Sequence, residues 1–138
     1  MTRDQAPTLS VVIPVWNGDR YLAEAIRSVL EQQGAPTLEV IVVDDGSDDD
    51  SAAVAERFGA AVRCVRIAHD GLAAARNAGL DLARGEYLLH FDADDVLPAD
   101  SIASRMAEFD TNATADLVVG QMESFVSPGL DAEAAAQY

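Results

Sequence analysis

The chain has 138 residues, 49% of them apolar and 24% charged, with a formal net charge of −15. That length fits one domain with a real core, and the apolar share excludes a disordered chain. The strong acidity, carried against nine arginines and no lysine, excludes nucleic acid and anionic membranes as partners; it also fits a salt-adapted or a GC-rich source.

Met1 to Pro7 is polar and is expected to be a loose N-terminus. Leu9 to Val15 (LSVVIPV) is an apolar run expected to form a buried strand, stopped near Pro14. Asn17 is the expected cap of a helix whose apolar residues Leu22, Ala25, Ile26, Val29 and Leu30 fall at helical spacing, with Gly34 as its end signal. Glu39 to Val43 (EVIVV) is a second buried strand, ending in Asp44-Asp45-Gly46-Ser47. A helix over roughly Ser51 to Phe58 leads to a strand over Val62 to Ile67, and Gly71 to Ala83 is again helical.

Tyr87 to Val96 (YLLHFDADDV) then gives an apolar strand, expected to be buried, that runs into three carboxylates within four residues. Pro98 and Asp100 open a helix toward Phe109, and a last strand is expected from Leu117 toward Phe125. Alternating strands and helices with short connections predict a three-layer α/β/α sandwich with a mainly parallel, Rossmann-like sheet. Residues 8–127 form the domain and 128–138 an Ala-rich tail.

Cys64 is the single cysteine, so no intrachain disulfide can form and a reducing compartment is the simpler setting. There is no basic region followed by an apolar run, and no apolar stretch near the ~18 residues that a membrane span needs. A cytoplasmic protein is therefore expected.

Three polar clusters fall at strand C-terminal ends: Pro14 to Asn17, Asp44 to Ser47 and Asp92 to Asp95. In a parallel sheet these ends share one edge, where ligands bind. Asp92-x-Asp94 suits a hard divalent cation, because crowded carboxylates either raise their pKa values or take up a cation. Asp44 can accept a hydrogen bond from a base imide N–H, which uridine offers and cytidine does not; equally, Asp44 to Ser47 can be a plain capped turn. Asp48 to Asp50 is expected to be a solvated helix start. Arg76 can approach a diphosphate or form an ion pair with Asp92 or Asp44. His69 and His90 lack a second histidine at ligand spacing, and His90 is expected to pack within its strand. No Gly-x-Gly-x-x-Gly follows the first strand, which argues against a dinucleotide site.

Taken together, SVVIPVWN (Ser10 to Asn17), VVDDGSDD (Val42 to Asp49) and GLAAARNAGLDLARGEYLLHFDADD (Gly71 to Asp95) resemble glycosyltransferase family 2, nucleotide-sugar enzymes with the GT-A fold. The likeness runs over roughly residues 8 to 125. It implies that Pro14, Val15 and Asn17 wall the nucleotide, that Asp44 reads the base, and that Arg76 borders the site. It also implies that Asp92 lies near the ribose or the metal, with Ala93 beside it, and that Asp94 coordinates Mg²⁺ or Mn²⁺ on the diphosphate, with Asp95 completing the turn. The implied reaction moves a sugar from a nucleotide-diphosphate donor, UDP-linked for preference, to an unknown acceptor with inversion.

The family places its catalytic base in a second half, often followed by a Gln-x-x-Arg-Trp type motif, whereas Trp16 is the only tryptophan here. Glu123 is the one acidic residue near the end of the last expected strand and is the candidate base. His69 stands where many relatives carry asparagine. The acceptor half is thus expected to be missing or supplied elsewhere, a homodimer through an exposed sheet edge being one arrangement. A donor-binding or scaffold module without transfer is the alternative. An aspartyl phosphatase, suggested by Asp-Ala-Asp-Asp-Val, is disfavoured by the motif's late position and the missing lysine.

Overall fold

The computed structural model describes residues 6–125. Its elements run β1 (Leu9–Val15), α1 (Asp19–Leu30), β2 (Leu38–Asp44), α2 (Ser51–Glu56), a 3-10 turn (Gly59–Ala61), β3 (Val62–Arg66), α3 (Leu72–Leu82), β4 (Tyr87–His90) and α4 (Ser101–Thr111). All pairings are parallel and the strand order is β3-β2-β1-β4. The expected α/β sandwich is thus present. The loose N-terminus falls largely, and the Ala-rich tail wholly, outside the described residues.

The pleat of β1 explains the layering. Val11, Ile13 and Val15 face one side, where they meet Leu22, Ala25, Ile26 and Val29 of α1, Val54 and Ala55 of α2, and Ile102 of α4. Val12 faces the other side with Ile41 and Val43 of β2, against Ala75 of α3. A strand covered on both faces has no polar face to keep, which is why β1 and β2 read as continuous apolar runs. On the α3 side the approach is close, since a Cβ on Gly79 would stand 2.2 Å from Val12 Cγ1.

Beneath the sheet, Ser10 Oγ donates to Glu39 Oε1 (2.6 Å) and accepts from Gly85 N (2.9 Å), so the turn into β4 is fixed to the buried strands. The chain steps from β1 outward to β3, then returns to the opposite side of β1 for β4. That reversal falls between β1 and β4, and the C-terminal strand ends at such a point are where sheets of this kind take ligands.

Three expectations need correction. β4 is not buried: it is a four-residue edge strand, with Leu88 37% exposed and His90 exposed rather than packed. No strand forms over 117–125, because the sheet ends at β4 and the segment finds no hydrogen-bonded neighbour among the described residues; Val119 and Met122 are 80% and 93% exposed. Asn17 does not cap α1. Gly18 holds that position, and Asn17 adopts a left-handed φ of 51°. Cys64 is half-buried on the outer strand β3.

Candidate functional site

The sheet brings the three predicted clusters to one edge, in the order β2, β1, β4. On β2, Asp44 ends the strand in register with Val15 of β1 and Arg66 of β3. Its side chain is 0% exposed. Oδ1 accepts from Ser47 N at 2.9 Å. Arg66 Nη1 lies 3.2 Å from Oδ2 without directing an N–H at it, so Oδ2 has charge compensation but no hydrogen bond. The arginine's other amino group donates to the Ser47 carbonyl at 2.7 Å. Arg66 was not singled out in the sequence; its place as last residue of β3, opposite Asp44, becomes visible only with the register.

Asp45 has a different task. Its buried carboxylate accepts from Asp70 N (2.9 Å), Gly71 N (3.0 Å) and His69 Nδ1 (2.8 Å), pinning the loop before α3 to β2. Burial alone would raise this carboxyl, but those three donors outweigh it and hold it below the ordinary aspartate value. His69 Nδ1 also faces the Asp45 carbonyl at 3.0 Å; with two acceptors around it, that nitrogen carries a proton. The His69 ring stacks on Trp16, with centroids 4.7 Å apart and planes 18° from parallel. Trp16 is 55% exposed at the end of β1, a second residue that its motif alone did not mark.

The β1–α1 and β2–α2 turns clasp one another. Asn17 N donates to Ser47 Oγ (2.9 Å), Asp48 N to Asn17 Oδ1 (2.8 Å), Gly18 N to Ser51 Oγ (3.0 Å) and Asp19 N to Asp49 Oδ2 (3.1 Å). Asp49 is therefore a cross-loop cap for α1 rather than part of a solvated run. Burial raises its carboxyl, yet bonds from Ser51 and Asp19 bring it below the usual range. This changes the electrostatics of the edge. Asp49 accepts from the first N–H of α1, and Asp45 from the N–H groups of Asp70 and Gly71 just before α3, so each of these helix entries has a carboxylate close by.

At the other end, Arg76 of α3 donates from Nη2 to Asp92 Oδ1 at 2.9 Å, so the ion-pair reading of Arg76 holds with Asp92 and not with Asp44. Ala93 lies near Gly18, 3.9 Å from where a Cβ on that glycine would stand. Asp92, Asp94 and Asp95 are all exposed. Partial burial, then the charges of Asp94 and Asp92, push Asp95 above the ordinary carboxylate value. Burial and the Arg76 charge push His90 down, against Asp92. Among the described residues no three His, Cys, Asp or Glu side chains converge as a ready cage for a metal. A Mg²⁺ or Mn²⁺ shared with phosphate oxygens needs only one or two carboxylates, so the crowded negative turn fits that kind of site. Pro14 and Val15 are buried in β1, and Glu123 is exposed on a stretch with no secondary structure.

The sequence profile of glycosyl transferase family 2 matches residues 10–135. The chain belongs to glycosyltransferase family 2. Among family relatives, the glycosyltransferase GlyG of Streptococcus pneumoniae is 33% identical over 121 residues, 85% of this chain and 40% of GlyG. Chondroitin synthase of Escherichia coli is 32% identical over 78% of this chain and 16% of its own length. Staphylococcus aureus TarS 1–349 in complex with UDP-GlcNAc superposes with a TM-score of 0.71 at 25% identity, over 83% of this chain and 37% of TarS. The mannosyltransferase PcManGT of Pyrobaculum calidifontis, in complex with GDP-Man and Mn²⁺, gives 0.67 at 27% identity, over 82% and 34%. The chain thus spans less than half the length of these relatives, and its GT-A fold is shared with transferases solved in complex with nucleotide sugars.

Proposed function

We propose that this chain, over residues 8–127, is the donor-binding part of a glycosyltransferase that takes a sugar from a nucleotide-diphosphate sugar. The carrying observation is the edge itself. Asp44, a sealed carboxylate with one unpaired oxygen, stands at β2, and the acidic turn Asp92 to Asp95 stands at β4. They are two strand spacings apart, roughly 10 Å, a span that suits a base at one end and a diphosphate at the other. Asp44 accepts the imide N–H of uracil. Pro14, Val15 and Asn17 form the wall beside it, and Arg76, with Asp92 and Ala93, borders the diphosphate. The UDP and UDP-GlcNAc complexes of TarS support this choice of base.

Asp49 and Asp45 bring negative charge to the entries of α1 and α3, which favours a cation as the partner of phosphate charge at this edge. Asp94, with Asp92, would hold Mg²⁺ or Mn²⁺ there, as the Mn²⁺ complex of the mannosyltransferase suggests. Such an ion, when bound, neutralises charge growing on the departing nucleotide. Transfer with inversion to an acceptor hydroxyl completes the reading, in a cytoplasmic setting; among the described residues no helix is long and apolar enough to cross a membrane. A homodimer through the β4 edge belongs to the same proposal. Calorimetric titration with UDP, with and without Mn²⁺ and against CDP, tests it: metal-dependent, UDP-preferring binding is expected, and no nucleotide binding would overturn it.

A second reading has one observation behind it. Glu123, the candidate base, sits on an exposed stretch outside any strand, and among the described residues no partner holds it for proton transfer. A module that binds donor without transferring it would show UDP binding but no turnover with any acceptor.

A further inference from the structure

We propose that Arg66 is a competing counterion of the donor site, one that a nucleobase has to displace from Asp44 in order to bind. This rests on the nucleotide-binding reading above. Among the described residues Asp44 Oδ2 has no hydrogen-bond donor and is sealed from solvent, and the one cation paired with it is the Arg66 guanidinium at 3.2 Å. A base N–H cannot reach that oxygen while the seal is closed. The two partners differ in what they can yield. Asp44 is wholly buried at the end of a central strand, whereas the Arg66 side chain is 55% exposed on the outer strand β3. Swinging an exposed arginine disturbs no core packing and is fast. Moving Asp44 would break its bond from Ser47 N.

The exchange also sets what may replace the guanidinium. A buried carboxylate stripped of its cation must gain a donor, because an unmet charge there is strongly unfavourable. The N3–H of uracil, or the N1–H of guanine, supplies one. The N3 lone pair of cytosine points negative charge at negative charge. Arg66 therefore holds the site closed to bases that lack a ring N–H on that edge, such as cytosine, and also weakens the binding of those that have one.

The test is calorimetry on the full chain and its Arg66→Met variant, using UDP with Mn²⁺ at low and high salt. Removing the competitor should tighten UDP binding about two- to fivefold, the size expected of a half-exposed pair. That gain should shrink at high salt, where the pair in the parent protein is screened. Arg66→Gln, which removes the charge but stays polar, should show the same direction and stands in if Arg66→Met does not fold. UDP binding that is equal or weaker in the variants overturns the proposal while leaving the donor-site reading intact. If neither parent nor variant binds any nucleotide, both fall together.

Discussion

Arg76 on α3 and Asp92 beyond β4 are bound to each other at 2.9 Å, Nη2 donating to Oδ1, so a helix on one face of the sheet orients the acidic turn at its edge. Both side chains are partly exposed, so the pair adds at most about 1 kcal/mol to stability. Its value is positional. Arg76→Ala should leave the thermal midpoint nearly unchanged while weakening Mn²⁺-dependent UDP binding roughly 10–100-fold, as removal of a group that orients a metal ligand does. A variant with parent-like binding would reduce the pair to a surface contact.

Asp94 makes no hydrogen bond among those described for the site and stays exposed, so its removal costs the fold little. Asp94→Ala should abolish the part of UDP binding that depends on Mn²⁺, a loss of about a hundredfold or more, with the metal-free affinity unchanged. Titrations with and without chelator separate the two terms. An intact metal response would remove Asp94 from the site.

Acid should loosen the protein through three carboxylates. Burial would raise Glu39, Asp45 and Asp49, but in each case hydrogen-bond donors outweigh it and hold the folded value below the unfolded one. Stability from such groups is complete above the unfolded values, about 3.9 for Asp and 4.3 for Glu, and is lost as pH falls through the folded values. Urea midpoints should stay level from about pH 7 to 5 and drop below about pH 4. Asp49→Asn should start lower at pH 7 and fall less steeply. A parent midpoint unchanged at pH 3 would contradict this account.

Gly79 sits in α3 where it meets Val12. On helix propensity alone, Gly79→Ala would gain about 1 kcal/mol. A Cβ 2.2 Å from a fully buried valine methyl outweighs that gain: overpacking of this kind costs about 1–3 kcal/mol. The variant should therefore melt below the parent in a thermal scan, and a higher midpoint would mean that α3 can move off the sheet.

The central strands were legible because burial on both faces writes itself as an unbroken apolar run, as in Val40 to Val43. The edge strands were harder. Tyr87 to His90 is as apolar as β2, but composition does not say how many neighbours a strand has, and β4 has only one. The same gap misled the reading of Leu117 to Phe125, where the apolar residues pair with no strand among the described residues. In the site, Asp44 and Asp92 were visible as strand-end carboxylates. Asp45, Asp49 and Arg66 took their roles from partners 20 or more residues away, which spacing along the chain does not encode. Trp16 was passed over for a related reason: its stacking partner His69 comes from the loop before α3.

The clasp between the β1–α1 and β2–α2 turns divides the edge into a stiff end and a yielding one. Around Asn17, Ser47 and Asp49 the backbone is already ordered by its own hydrogen bonds, so a guest arriving there gives up little entropy on the protein's behalf. The turn from Asp92 to Asp95 has one backbone bond, Asp95 N to Asp92 O at 3.2 Å, and the arm of Arg76. The backbone at the Asn17 end of the edge is thus fixed before any guest arrives, while the acidic turn keeps the freedom to adjust around one.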